Sequence, residues 1–148
     1  MAVVEDAEEL VRLRHVMLSS FDHVPAGPWE DTAVETLQER LPEEDPTLVA
    51  FVIDRPGGLA ACAVGTVEYR LGGPKNPSGE VGYVFNVSTD PDYRRRGYAR
   101  ACMEALIQWY AERGITKIDL KASPDGEPLY SSLGFVRTPD PAMRMTLG

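Results

Sequence analysis

Apolar residues recur at helical spacing near the N-terminus, in the middle and near the end of the chain, and fall into strand-like runs between. Leu10, Leu13 and Met17 share one face behind Asp6-x-x-Glu9, which reads as a capping box opening a first helix. Phe21 to Pro28 carries Pro and Gly and reads as a loop. Val34, Leu37 and Leu41 predict a second helix that Pro42 stops. Thr47 to Ile53 is an apolar, β-branched run, Asp54-Arg55-Pro56-Gly57-Gly58 has turn chemistry, and Leu59 to Arg70 predicts a second strand. After a Gly- and Pro-bearing loop over 71–79, Glu80 to Thr89 predicts a third. Simple alternation puts Val81, Tyr83, Phe85, Val87 and Thr89 on one of its faces and Gly82, Val84, Asn86 and Ser88 on the other. Both faces are largely apolar, so the strand is expected to be central and covered on both sides.

Asp90-Pro91-Asp92-Tyr93 breaks that strand. Ala99, Met103, Leu106, Ile107 and Tyr110 then form one helical stripe within 97–113, with Gly114 at the stop. Ile115 to Ala122 predicts a further strand and Glu127 to Leu133 a short helix closed by Gly134. Phe135 to Leu147 predicts a closing hairpin about Pro139-Asp140-Pro141. The order of elements indicates a mixed α/β layer protein with helices packed on a sheet, and 1–148 reads as a single domain without repeats or linkers.

Composition narrows the class. Apolar residues make up 43% of 148 positions and charged residues 26%, as in a folded globular chain. No apolar run approaches the roughly 20 residues of a membrane span, and Met-Ala-Val-Val-Glu-Asp has no signal-peptide character, so a cytoplasmic protein is expected. A net charge of −8 argues against nucleic acid as partner. Cys62 and Cys102 form no CxxC pair and read as buried small hydrophobes. His15 and His23 do not suggest a metal site.

Against this acidic background Arg94, Arg95, Arg96 and Arg100 stand together around Gly97-Tyr98-Ala99, where a helix begins. Free N–H groups at a helix start, its positive dipole end and two small residues can hold an anion such as a phosphate. On its own the run is equally compatible with a solvated basic face. It lacks the Gly-Lys-Ser/Thr ending of a P-loop and the GxGxxG of a dinucleotide fold.

Arg94-x-x-Gly97-x-Ala99 resembles the Gln/Arg-x-x-Gly-x-Gly/Ala signature of the GNAT superfamily of acetyltransferases. Val87-x-Thr89-x-Pro91-x-Tyr93-Arg94 is similar to that family's strand-and-bulge lead-in. Leu120-x-Ala122-Ser123, followed by Pro128-Leu129-Tyr130-x-x-Leu133-Gly134-Phe135, resembles its second motif. The resemblance is close over residues 80–136 and loose elsewhere. It implies a central, mostly antiparallel mixed sheet flanked by about four helices. Only Met1 to Val4 precede the first helix, so the family's first strand is expected to be short or missing.

The resemblance also implies acetyl-CoA as co-substrate, an amine acceptor and no metal. It assigns the pyrophosphate to amides between Arg95 and Arg100, with Arg94, Tyr98 and Ala99 in the same turn, and the pantetheine arm to Val87 and Thr89. The Val87 N–H falls at the oxyanion position, Tyr130 at the general acid, and Ser123 where many relatives carry Asn. The positions that hold a base in some relatives are Tyr83 and Phe85 here. Asp22, His23, Glu68 and Glu80 are therefore the remaining candidates, each equally readable as a surface group. Phe21, Trp29 and Tyr69 are candidates for the acceptor pocket or the core. Cys102 is not expected to carry the acetyl group. A non-catalytic acyl-CoA-binding module and a protein-interaction domain are the alternatives, and pairing of two copies through the final strands is conceivable.

Overall fold

A computed structural model describes all 148 residues. The helices are α1 (Ala7–Ser19), α2 (Pro28–Arg40), α3 (Tyr98–Glu112) and α4 (Glu127–Ser132), and the strands are β1 (Leu48–Arg55), β2 (Gly58–Tyr69), β3 (Glu80–Thr89) and β4 (Ile118–Leu120). They form one four-stranded sheet in the order β1-β2-β3-β4, antiparallel except for the parallel β3–β4 pair. No helix is long and apolar enough to cross a membrane.

Two apolar clusters sandwich the sheet. On one face Val49, Ala61, Ala63 and Val84 meet Cys102, Met103, Leu106 and Tyr110 of α3. On the other, Leu48, Ala50, Cys62 and Val64 meet Leu10 and Leu13 of α1, with Leu37 and Leu41 at the margin. Small residues along β2 let α3 approach closely. The Tyr110 ring lies over Gly82 and its hydroxyl over Gly65, donating to Thr66 O at 2.8 Å. Burial pushes that phenol's pKa up.

Four local expectations are corrected. Asp6 and Glu9 make no capping box: Asp6 instead accepts from the Val3 amide at 2.9 Å, closing a short 3-10 turn over Val4–Asp6. The alternation expected along β3 is interrupted, because a bulge opposite Val64/Gly65 leaves Phe85 without a partner. Val84 and Val87 therefore both face α3. Phe85 and Asn86 both turn toward Arg14 of α1, one under its guanidinium at 5.8 Å and the other accepting from it at 3.2 Å. A bulge does this because two residues oppose one.

The eight-residue strand expected over 115–122 shrinks to three, since only Gly82, Tyr83 and Val84 pair with it. The hairpin expected over 135–147 is absent. That segment has no regular secondary structure, and Val136, Met143, Met145 and Leu147 are exposed. No strands are there to pair two copies. The first strand is reduced to a single contact, Ala2 N–H to Ala50 O at 2.8 Å.

A Cβ at Gly82 would sit 2.8 Å from the Tyr110 ring. Gly82→Val is therefore expected to cost about 1–3 kcal/mol by overpacking. Gly73→Ala, which meets nothing within 4 Å, should stay within about 0.5 kcal/mol. Urea-unfolding midpoints check both.

Candidate active site

The bulge also reverses which edge of β3 carries which amide. Before it, the Gly82 N–H points toward β4, donating to Lys117 O at 2.9 Å. After it, Asp90 N–H donates to Ala60 O at 2.7 Å, and the pairs Cys62–Ser88 and Val64–Asn86 keep the same parity. Donors alternate along a strand, so Ser88 and Asn86 aim at β2 while Val87 and Thr89 aim the other way. On that side β4 has already ended at Leu120. Two amides thus face a gap between diverging strands.

The gap is a cleft of about 310 Å³. Val87 and Thr89 form one wall, Leu120 and Ser123 the other, with Leu129 and Tyr130 of α4 over it. The Ser123 Oγ accepts from the Gly126 amide at 3.2 Å, tightening the turn that leads into α4. Gly126 gives the Tyr130 ring room, since a Cβ there would lie 3.0 Å from it. The Tyr130 ring also meets Phe135 edge-on at 6.1 Å. Burial disfavours the phenolate and pushes the Tyr130 pKa above its ordinary value.

Thr89, Arg94, Ala99 and Leu129 line both this cleft and a second cavity of about 250 Å³ formed by Tyr93 to Arg100. The two are one groove. At its basic end the first helical bond is Ala101 N–H to Gly97 O, and no backbone carbonyl or side chain takes the amides of Arg94 to Arg100. Arg95 (φ 63°) and Gly97 (φ 76°) both adopt the left-handed region. A Cβ on Gly97 would meet nothing within 4 Å and would project into open space beside those amides. A concave row of free N–H groups under a positive helix end suits a pyrophosphate. The donor set fits the anion of a CoA-type ligand.

Charged groups brace this loop from behind. Arg12 of α1 donates to Glu9 (2.7 Å), Asp90 (2.7 Å) and Leu59 O (2.8 Å), while Asp90 also accepts from the Asp92 amide at 2.9 Å. The Asp92 amide first, then Arg12, holds the Asp90 carboxyl below its usual pKa. At the outer edge Arg55 donates to the Tyr98 hydroxyl at 2.6 Å, which lowers that phenol's pKa.

All eleven residues singled out from the sequence line this groove: Val87, Thr89, Arg94 to Arg100, Ser123 and Tyr130. Asp22, His23, Glu68 and Glu80 do not, and Glu68 is occupied by Arg70 at 2.7 Å. Of the aromatics, Phe21 lines the cleft. Trp29 packs against His15, and Tyr69 is exposed. Sequence reasoning missed Val16, Met17 and Ser20 of the α1 end, and Phe85, Lys121 and Asp125. Met17 was hidden by its helical spacing, which assigns it to the core, and Phe85 by the bulge.

The chain matches the Acetyltransferase (GNAT) family over residues 10–135. It is 40% identical over 114 residues to the ribosomal protein bS18-alanine N-acetyltransferase of Escherichia coli, covering 74% of this chain and 66% of that one. It is 32% identical over 121 residues to a mycothiol acetyltransferase of Thermobispora bispora, covering 78% of this chain and 39% of the relative. The chain thus spans just under two thirds of the first relative's length and well under half of the second's. A crystal structure of a predicted acetyltransferase with acetyl-CoA from Clostridium acetobutylicum superposes with a TM-score of 0.85 at 26% identity, covering 97% of this chain and 92% of that one. A GCN5-related N-acetyltransferase from Ralstonia eutropha gives 0.83 at 26% identity, covering 97% and 95%. With the groove built from the segment that carries the family's signature, and the match extending over most of its length, the chain belongs to the GNAT acetyltransferase family.

Proposed function

We propose that this chain transfers an acetyl group from acetyl-CoA to the primary amine of a small molecule or peptide, by direct attack in a ternary complex. The observation that carries this reading is the single groove that joins the free amides of the basic loop to the unpaired edge of β3 and to Tyr130. The named relatives act on a ribosomal-protein alanine and in mycothiol acetylation, so both a peptide and a small-molecule acceptor fit the family. Acetyl-CoA supplies the activated acyl thioester. The chain supplies position and charge stabilisation.

The amides of Arg95 to Arg100 hold the diphosphate, with the four arginines adding charge. The Val87 N–H donates where negative charge develops on the acyl oxygen, a contribution of roughly 3–4 kcal/mol for a well-aimed donor. As the amine nitrogen bonds the acyl carbon and the C–S bond breaks, the Tyr130 Oη gives its proton to the departing thiolate. Burial holds that proton on the phenol at neutral pH until then. The amine's proton passes to solvent, from which the phenol is reprotonated. Ser123 shapes the same wall. Cys102 is buried with its thiol pushed up to about 12, so it offers no thiolate for a covalent route. Both thiols are free and buried, which suits the reducing cytoplasm in which we place the protein.

Thermal unfolding with acetyl-CoA tests binding. At ~100 times its dissociation constant the ligand should add ~2.7 kcal/mol, a rise of roughly 2–4 °C per kcal/mol. Gly97→Glu should abolish the rise, because its side chain occupies the anion's space. Absence of any shift in the wild type would overturn the reading in favour of an interaction domain. A shift without CoA release from any amine would make the chain a binding module.

Tyr130→Phe is expected to lower kcat about 100-fold with little change in KM for acetyl-CoA. Because burial raises the Tyr130 pKa, its acid form persists to higher pH than in a free phenol. The wild-type rate should therefore show no loss from this group below about pH 10. Wild-type kcat in Tyr130→Phe would exclude the acid role.

A further inference from the structure

Apart from the Tyr110 hydroxyl, the buried hydrogen-bonding side chains are Asn86 at 2% exposure and Ser88 at 6%. They stand on either side of Val87. Both turn toward α1 rather than α3. The Ser88 Oγ donates to Leu13 O at 2.7 Å. The Asn86 Oδ1 accepts from the Arg14 guanidinium at 3.2 Å, and its Nδ2 lies 3.6 Å from the Cys62 sulfur. Arg14 also covers Phe85, the extra residue of the bulge. A buried amide and hydroxyl bring desolvation costs that an apolar pair would avoid, so their placement calls for a reason local to this stretch of strand.

Geometry supplies one. A bulge is a place where the register of a strand can slip, and here the slip would rotate the Val87 N–H from the open cleft back toward β2. Two hydrogen bonds to consecutive residues of one helix, Leu13 and Arg14, fix the two residues that bracket Val87. The same helix continues to Val16 and Met17, which line the cleft together with Ser20 just beyond its end. One polar seam thus ties the donor amide to the wall past which an acceptor must enter.

We propose that Asn86 and Ser88 are positioning residues for the acetyl transfer: through Arg14 and Leu13 they hold the bulge that aims the Val87 N–H into the cleft. The inference rests on the acetyl-transfer reading above. Asn86 does not line the cleft; Ser88 borders it, but its hydroxyl is committed to Leu13 O at 2.7 Å and turned toward α1.

The test compares the full-length wild type with Asn86→Leu, which removes both hydrogen bonds at similar volume, and Asn86→Asp, which keeps an acceptor for Arg14. In proton–nitrogen correlation spectra of the protein without acetyl-CoA, the Val87 and Thr89 resonances should shift or broaden in Asn86→Leu and return toward wild type in Asn86→Asp. Those of Met103 and Leu106 should stay in place. In turnover, Asn86→Leu should lose about tenfold or more in kcat per folded molecule. Its KM for acetyl-CoA should change by less than about twofold, because uniform binding is untouched. Asn86→Asp should recover much of the rate. Ser88→Ala gives the same readouts through the other half of the seam should Asn86→Leu fail to fold. Unmoved Val87 resonances together with unchanged kcat per folded molecule, in either variant, would overturn the proposal. A wild type that releases no CoA from any amine would instead sink the transfer reading, while the spectra still decide whether the seam positions the amide.

Discussion

A central strand must satisfy neighbours on both edges, and an amide that is to stay free for a ligand needs an edge with no neighbour. β3 meets both demands within ten residues. Its first half pairs with β2 and with β4, and its second half pairs with β2 alone. The change occurs at Phe85, where one extra residue reverses the parity of donors and side chains together. Without that reversal the amides on the open side would be those of Asn86 and Ser88, and their side chains would face α3. The cleft, the outward Val87 N–H and the polar seam to α1 all follow from one unpaired residue.

The basic loop depends on the same strand end. Asp90, the first residue beyond β3, is anchored by its amide to Ala60 and by its carboxylate to Arg12 and Asp92. Chain direction is therefore set before the arginines are reached, and the left-handed conformations of Arg95 and Gly97 turn the following amides into the groove. An acidic chain of net charge −8 concentrates four arginines in seven positions at this point. Like charges so close repel one another unless something anionic is present, so the loop is arranged for a ligand more than for its own stability. Of the four, Arg96 stacks on the Tyr93 ring, while Arg55 of β1 brings a further cation onto Tyr98.

Much of this was legible in the sequence because it rests on local rules. The helix starting at Tyr98, the β1–β2 hairpin around Pro56-Gly57 and the α4 turn closed by Gly134 all follow from spacing and turn chemistry. The eleven groove residues were legible because two short motifs carry them. What was not legible depends on tertiary balance. A bulge leaves no mark in an alternating pattern, since Phe85 suits either face. The length of β4 is set by where β3 stops pairing, which the apolar run from Ile115 cannot reveal. The hairpin expected over Phe135 to Leu147 finds no sheet edge to join, and Met143, Met145 and Leu147 stay exposed. Glu9 looked like half of a capping box, but a carboxylate that can reach Arg12 and the Leu59 amide gains more there than at an exposed helix start.

The two faces of the sheet show where precision is required. Against α3 the packing is apolar, with Tyr110 seated over two glycines and its single hydroxyl satisfied by Thr66. Such a face is held by shape complementarity, as the close fit of Tyr110 over Gly82 shows. Against α1 the same sheet carries the buried Asn86 amide and Ser88 hydroxyl, bonded to Arg14 and to Leu13 O. Apolar contacts fix a distance, whereas hydrogen bonds fix a distance and a direction. A donor amide aimed at a developing charge gains its effect from direction, since a misaimed N–H loses most of that interaction. The buried amide and hydroxyl stand on the face behind Val87, where the proposed positioning of a single peptide bond needs direction as well as distance.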